Sequence, residues 1–267
     1  MKPVLNVKSL NFGYKGASIL KDISFCINPE EFVAVIGPNG SGKTTLIKTI
    51  LKHEIPDSGT IQILENDISC LSSRDLAMHI SAVMQAIDPT AMKVRDYVLL
   101  GRMPFFRKYQ FFETRQDLDI AQKYMELTGI AHLADSQMTQ ISGGERQLCA
   151  IAKALTQEPD LLVLDEPTSH LDITHQKTIL DLITTLKKEL SLTILMVLHD
   201  LNLAAEYADR LILLSKETKT IFSSGTPEDV LTQNHIQTVY RTQIKVEPNP
   251  VTGKPWIFII NDMNPHE

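Results

Sequence analysis

The chain has 267 residues, 43% hydrophobic and 22% charged, an ordinary soluble globular composition that can bury a full core as one large domain or two small ones. A formal net charge of −6 argues against an electrostatic grip on nucleic acid, which needs a basic face. The longest apolar runs, such as Phe32 to Ile36 and Ile194 to Leu198, are too short to span a bilayer, and the start Met1-Lys2-Pro3-Val4-Leu5-Asn6 lacks the apolar core of a signal peptide.

Short β-rich runs at Val4 to Leu10, Ile19 to Ile27 and Phe32 to Ile36 open the chain. The last is a continuous apolar run, as expected of a strand buried on both faces. A helix is predicted from Lys43 to about Lys52, and strands over Gly59 to Leu64 and Ile80 to Met84, the latter ending at Gln85. From Asp88 to Leu155 the pattern turns helical: Leu118, Ala121, Tyr124 and Met125, with Leu127 nearby, fall at helical spacing with charges between. Leu161 to Leu164 (strand), Ile173 to Leu190 (helix), Thr193 to Leu198 and Arg210 to Leu214 (strands) restore an alternation that builds a parallel sheet with flanking helices. Thr226-Pro227-Glu228-Asp229 reads as a helix start with proline first and acids in its first turn, and Ile244 to Glu247 and Trp256 to Ile260 read as strands around a Pro/Gly turn. Cys26, Cys70 and Cys149 lack metal-ligand spacing and read as reduced, mostly buried thiols of a cytosolic protein.

The loop Gly37-Pro38-Asn39-Gly40-Ser41-Gly42-Lys43-Thr44 has the form G-x-x-x-x-G-K-[ST] between a buried strand and a helix. Its glycines let the backbone wrap phosphates with N–H groups inward, and the following helix adds its positive end. Lys43 supplies a cation for the β- and γ-phosphates, and Thr44 a hydroxyl for Mg²⁺. The loop therefore predicts a nucleoside triphosphate site. Asp165 and Glu166 end an apolar strand, where ligands of open α/β sheets gather. Asp165 suits Mg²⁺, directly or through water, and Glu166 suits a general base on the attacking water.

Ser142-Gly143-Gly144-Glu145 has the form of a capping box, with Leu148, Ile151, Ala152 and Leu155 as the apolar face of the helix it opens. Capping leaves the glycines unexplained, since glycine in a first turn costs stability. Bare glycines would let a phosphate approach the exposed amides of the helix end.

With the phosphate loop and the acidic strand end, this segment resembles the ABC ATPases, whose motif is Leu-Ser-Gly-Gly-Gln or close to it; here Ile141 replaces Leu and Glu145 replaces Gln. The resemblance covers nearly the whole chain. It implies a P-loop, RecA-like α/β core with a parallel sheet, an N-terminal antiparallel β subdomain and a helical subdomain characteristic of ABC proteins. All of 1–267 would then be one ABC ATPase domain: 1–86 as the β subdomain and the start of the core, 87–156 helical, 157–225 the rest of the core, and 226–267 a C-terminal helix and hairpin. It further implies ATP and Mg²⁺ as cofactors and a homodimer in which the Ser142–Glu145 helix end closes on the γ-phosphate held by the other subunit.

Further residues acquire roles through the same resemblance. Tyr14, with Phe12 as competitor, would stack on adenine. Pro38, Asn39 and Thr45 complete the nucleotide loop. Gln85 would sense Mg²⁺ and water, Asp172 in Ser169-His170-Leu171-Asp172 would communicate across the dimer, and His199 would contact the γ-phosphate. The candidate catalytic set is thus Glu166, His199, Gln85 and Lys43, and the metal set Thr44, Gln85 and Asp165. His170 and His175 match no zinc spacing and read as non-ligands.

Phe105, Phe106, Tyr109, Phe111 and Phe112 form an aromatic cluster in a stretch, Lys93 to Arg115, with six basic and two acidic side chains. Such a patch suits docking on a protein partner or a local core, and residue types do not choose between them. Gly101-Arg102-Met103-Pro104, Leu171-Asp172-Ile173-x-His175-Gln176 and the tail from Gly225 resemble ATPases of iron–siderophore, haem and cobalamin importers. Where such an element often ends Pro-His, Phe105 follows Pro104 here, so molybdate, tungstate or zinc importers stay open as alternatives. The resemblance implies a cytoplasmic protein, peripheral on the inner face of the cell membrane, bound to two integral-membrane permease subunits and served by a separate binding protein, with no nucleic-acid partner. A soluble non-transport ATPase is one remaining alternative. Its chromosome-organising members need long heptad arms, and only 97 residues separate Thr44 from Ser142. A nucleotide-binding regulator without turnover is another, disfavoured because Lys43, Asp165, Glu166 and His199 are all present.

Overall fold

A computed structural model describes residues 2–85, 90–110, 112–169 and 171–260. Phe111, His170 and the predicted boundary at Asp88 lie outside the described residues. In chain order the elements are β1 (Leu5–Tyr14), β2 (Ala17–Ile27), β3 (Phe32–Ile36), α1 (Lys43–Ile50), β4 (Ser58–Ile63), β5 (Asn66–Asp67), α2 (Ser73–His79) and β6 (Ile80–Val83). Then come α3 (Val94–Leu99), a 3₁₀ turn (Leu100–Phe105), α4 (Arg115–Leu127), α5 (Gly143–Leu155), β7 (Leu161–Asp165), α6 (Ile173–Leu190) and β8 (Thr193–Val197). The chain continues with α7 (Leu201–Tyr207), β9 (Arg210–Leu214), β10 (Ile221–Gly225), α8 (Pro227–Val230), α9 (Gln233–Tyr240), β11 (Ile244–Pro248) and β12 (Pro255–Ile259).

These elements fall into two compact units built from interleaved segments. One comprises Cys26–Glu30 and Ile61–Leu195 with the residues before Val7; the other comprises Val7–Phe25, Glu31–Thr60 and the residues from Met196 onward. In the first unit β6 and β7 pair in parallel, Ile80 opposite Leu161 and Val83 opposite Leu164. All five residues of β7 are buried, which explains its unbroken apolar run. Helices α3, α4 and α5 pack on one another through Val94, Val98, Ala121, Tyr124, Met125, Ala150 and Ile151. Fully burying each of Val94, Val98 and Ile151 contributes about 1.5–3 kcal/mol.

In the second unit β3 pairs in parallel with β9, Val33 opposite Arg210 and Ile36 opposite Leu213, and β10 joins β9 antiparallel, giving the order β10-β9-β3. The C-terminal hairpin β11–β12 lies against α7, where Asn202 exchanges two hydrogen bonds with the backbone of Ile257: Nδ2 to O at 3.3 Å and N to Oδ1 at 2.8 Å.

Several expectations are corrected. Cys26 and Cys70 are exposed, and only Cys149 is buried. Both exposed thiols sit in segments whose apolar period does not include them, so small hydrophobic character alone does not bury them. On α4 the inward position beside Leu118 is taken by Asp117, while Leu118 is 48% exposed. The carboxylate is admitted because it closes the Thr114 capping box and meets Arg102. Helix α1 ends at Ile50, two residues early, and β1 runs on to Tyr14. Elements α2, β5 and β10 have no counterpart in the sequence reading; they are short, and α2 buries only Leu76.

Candidate functional site

The loop after β3 is shaped by backbone conformations closed to most side chains. Gly37 has φ 150° and Gly42 φ 97°. A Cβ on Gly37 would lie 2.6 Å from the Leu214 carbonyl oxygen, and one on Gly42 would lie 2.7 Å from Cδ2 of Leu20. Gly42 caps α1 without a side-chain hydrogen bond, and the first turn holds no acidic residue. The first amides of α1 are therefore left for another acceptor, in contrast to α4, α5 and α8, which all carry capping boxes. Ser41 Oγ is buried with no hydrogen-bond partner among the described residues. Lys43 Nζ folds back to donate to the Gly37 carbonyl at 2.8 Å and the Pro38 carbonyl at 3.3 Å, so its charge is held inside the loop. An unsatisfied hydroxyl, bare amides and a buried cation fit a polyphosphate.

Other candidate residues of this unit flank that loop. Tyr14 is the exposed member of an edge-to-face pair with buried Phe12, ring centroids 4.8 Å apart. Its hydroxyl donates to Glu54 at 2.8 Å, a bond that holds the phenol above its ordinary pKa, while the Thr45 side chain acts in the opposite direction. His199 is exposed beyond β8, and the next residue, Asp200, caps α7 by accepting from the amides of Asn202 and Leu203. His199 and Asp200 also line a cavity of about 320 Å³ with Ile236, Tyr240, Ile244 and Ile257. Burial raises the Tyr240 phenol pKa, opposed by a hydrogen bond from the Gly37 backbone. No feature of the sequence marked Tyr240, because its nearness to Gly37 depends on how the C-terminal segment returns to the loop.

The first unit carries the acidic residues. Asp165 ends β7 and is 1% exposed. Glu166 follows in the left-handed region, φ 53°, an arrangement costly for a residue with a Cβ. Gln85, two residues past β6, donates from Nε2 to Glu166 Oε2 at 2.8 Å. The parallel pairing of β6 with β7 sets both side chains at one sheet edge. Among the described residues no three His, Cys, Asp or Glu side chains gather as a metal site. Mg²⁺ needs no such cluster, since one or two carboxylates with hydroxyl, water and phosphate oxygens satisfy it; Asp165 and the Thr44 hydroxyl are oxygen donors of that kind.

Ser142 caps α5 reciprocally: its hydroxyl accepts from the Glu145 amide at 3.3 Å, and its own amide donates to Glu145 Oε2 at 2.7 Å. The hydrogen bonds from Ser142 hold the Glu145 carboxyl below its ordinary pKa, with His132 and His175 adding smaller electrostatic contributions. The two glycines differ. Gly143 is exposed, but Gly144 is buried beneath the ring of His175: a Cβ there would lie 2.7 Å from His175 Cδ2. Gly143 has room around it, whereas the absent Cβ of Gly144 leaves space for the His175 ring. Asp172 caps α6, and both its oxygens lie 2.9 Å from His175 Nδ1.

The aromatic cluster divides. Arg102 is buried, ion-paired with Asp117 at 3.1 Å, bonded to the Thr156 carbonyl at 2.7 Å and stacked 4.1 Å from the centroid of Phe105. Gly101 precedes it because a Cβ there would lie 2.1 Å from the Lys153 carbonyl oxygen. Arg102 thus belongs to the interior with half-buried Phe105 stacked on it, whereas Tyr109 (79%) and Phe112 (81%) stand exposed.

The family model described as ABC transporter matches residues 20–169. The ferric enterobactin transport ATP-binding protein FepC of Escherichia coli (strain K12) is 35% identical over 257 residues, spanning 95% of this chain and 93% of that protein. Among solved structures, an inward-facing conformation of a proposed metal-chelate type ABC transporter superposes with a TM-score of 0.85 at 27% identity, covering 98% of both chains. A dimeric post-hydrolysis state of the ATP-binding cassette MJ0796 bound to ADP and Pi superposes with a TM-score of 0.71 at 25% identity, covering 83% of this chain and 98% of that one.

Proposed function

The chain belongs to the ABC transporter family as an ATP-hydrolysing subunit, and we propose that it powers a membrane importer of metal chelates, of the iron–siderophore, haem or cobalamin class. Similar proteins that serve ferric enterobactin transport, iron(3+)-hydroxamate import and cobalamin import support this cargo class. The working assembly is a homodimer of this chain on two permease subunits, peripheral on the cytoplasmic face of the membrane and fed by a separate binding protein. None of the helices among the described residues is long and apolar enough to cross a membrane.

The observation that carries the ATPase reading is the phosphate cradle of Gly37 to Thr45, with its bare helix start and orphan Ser41 hydroxyl. Bound ATP would supply the phosphoanhydride whose cleavage releases the driving free energy. The loop amides and Lys43 would hold the phosphates, Tyr14 would stack on the base, and Thr44, Asp165 and Gln85 would hold Mg²⁺ and its water. Glu166 orients and deprotonates the attacking water, and its bond to Gln85 fixes the carboxylate until that water arrives. His199 meets the γ-phosphate, Ser142 to Glu145 close on the nucleotide of the second subunit, and Asp172 relays across that interface. The whole chain acts as one ATPase domain, with 87–156 its helical subdomain and 226–267 its C-terminal extension.

Glu166→Gln is the direct test. Turnover should fall by about 10²–10⁴-fold while ATP affinity is retained, and the variant should dimerise when ATP is added. Wild-type turnover in that variant would refute the role of Glu166. A variant that stays monomeric at saturating ATP would refute the two-chain site.

A further inference from the structure

The segment Leu171-Asp172-Ile173-x-His175-Gln176 carries a histidine, His175, that has no part in holding nucleotide or metal. Its geometry is specific. The backbone amide of His175 donates to Asp172 Oδ1 at 2.8 Å, as in any capped helix start. Beyond that, Nδ1 lies 2.9 Å from both Asp172 oxygens. These bonds, the backbone one first, hold the Asp172 carboxyl below its ordinary pKa. An ionised carboxylate only accepts, so Nδ1 carries the proton and the opposite edge of the ring, Cδ2 and Nε2, is turned toward α5. That edge covers Gly144: a Cβ there would sit 2.7 Å from Cδ2 and 3.3 Å from Nε2. The ring is half exposed, yet Gly144 beneath it is buried. Glu145, on the next position of α5, feels the same imidazole along with His132.

We infer that His175 is a positioning residue for ATP-driven dimerisation: clamped by Asp172, its ring seats Gly144 and fixes the first turn of α5 relative to the first turn of α6. The segments that would face the second subunit, Ser142 to Glu145 and Asp172, are thereby held as one surface. The inference rests on the reading of Ser142 to Glu145 as half of a two-chain site. It also supplies a reason for glycine at 144 that phosphate access alone does not: only hydrogen leaves room for the ring.

The test uses the full-length chain carrying Glu166→Gln, with dimerisation followed by analytical ultracentrifugation against ATP and ATP affinity measured separately at protein concentrations too low to dimerise. Adding His175→Ala should weaken the dimer by about tenfold, roughly 1.4 kcal/mol, with ATP affinity of the monomer and the melting temperature unchanged. Gly144→Ala should weaken it as well, and the double substitution should be no weaker than Gly144→Ala alone, because both remove one contact. His175→Asn, which keeps a donor for Asp172 but no ring, should resemble His175→Ala; it also serves as the ring-less variant if alanine fails to fold. Undiminished dimerisation in both His175 variants overturns the inference, as do fully additive costs or a loss that tracks monomer ATP affinity. If the Glu166→Gln parent itself fails to dimerise, the two-chain reading falls and the inference falls with it; a dimerising parent with indifferent His175 variants overturns the inference alone.

Discussion

Replacing Arg102 by methionine removes the interactions that anchor the 3₁₀ turn to α4 and α5, including a second ion pair, Nη1 to half-exposed Glu158 at 3.3 Å. The Arg102 and Asp117 side chains are 7% and 8% exposed and 3.1 Å apart. Removing one member of such a buried pair costs about 3–5 kcal/mol, because the remaining charge stays buried without its partner. The Thr156 carbonyl, 2.7 Å from Nη1, loses a donor, and the stack on Phe105 is lost too. These losses overlap, so the sum is not additive and we expect about 4 kcal/mol in urea unfolding followed by circular dichroism. Arg102→Met with Asp117→Leu should recover at least about 2 kcal/mol of it, since an apolar pair leaves no stranded charge. Acid should reveal the same pair. Burial pushes the Asp117 carboxyl upward, but hydrogen bonds from Thr114 and the Arg102 guanidinium outweigh it and hold its pKa below the usual value. Its contribution is therefore fully present above the unfolded pKa of about 3.9 and is lost as pH falls through the lower folded value. The gap between wild type and Arg102→Met should narrow as pH drops below about 4. A loss under about 1 kcal/mol at pH 7, or an equal loss in the double variant, would refute the burial argument.

Gly101→Ala should destabilise by about 3 kcal/mol or more, since its Cβ would meet Lys153 O and Thr156 Oγ1 near 2.1 and 2.0 Å; a melting temperature within a degree of wild type would contradict this. Lys43→Ala removes a cation that is worth about 4 kcal/mol to a phosphate 4 Å away in a moderately screened site, so ATP affinity should fall by up to about 10³-fold in equilibrium binding. Burial, with Glu145 nearby, pushes the Cys149 thiol up to about 12. Native protein should therefore expose two thiols to a disulfide reagent, Cys26 and Cys70, with Cys149 reacting only after unfolding; three prompt equivalents would count against the packing of α5.

The phosphate loop and the strand ends were readable because their physics is local. Glycines at 37, 40 and 42 announce a backbone that other residues resist, and Phe32 to Ile36 and Leu161 to Leu164 announce strands buried on both faces. The capping box at Ser142 is equally local and was visible as S-x-x-E, as was the helix start at Thr226 from its proline and acids; that Thr226 also closes a capping box is seen in the structure. Arg102 was legible only as part of a motif. A charged residue in a basic, aromatic stretch gives no sign of being buried until its partner, 15 residues away at Asp117, and its acceptor at Thr156 are brought to it.

The sequence alone determined the class of chemistry: a triphosphate loop, an acidic strand end and a glycine-bearing capped helix are spacing signatures confined to a few residues each. Tertiary structure decided which side chains those signatures leave free to act. It turned Gln85 onto Glu166, placed Tyr240 beside Gly37, drew Arg102 inside while leaving Tyr109 and Phe112 outside, and laid His175 over Gly144. The contacts of Gln85, Tyr240 and His175 join residues far apart in the chain, and whether two such side chains meet is set by strand register and helix packing, which local composition does not encode.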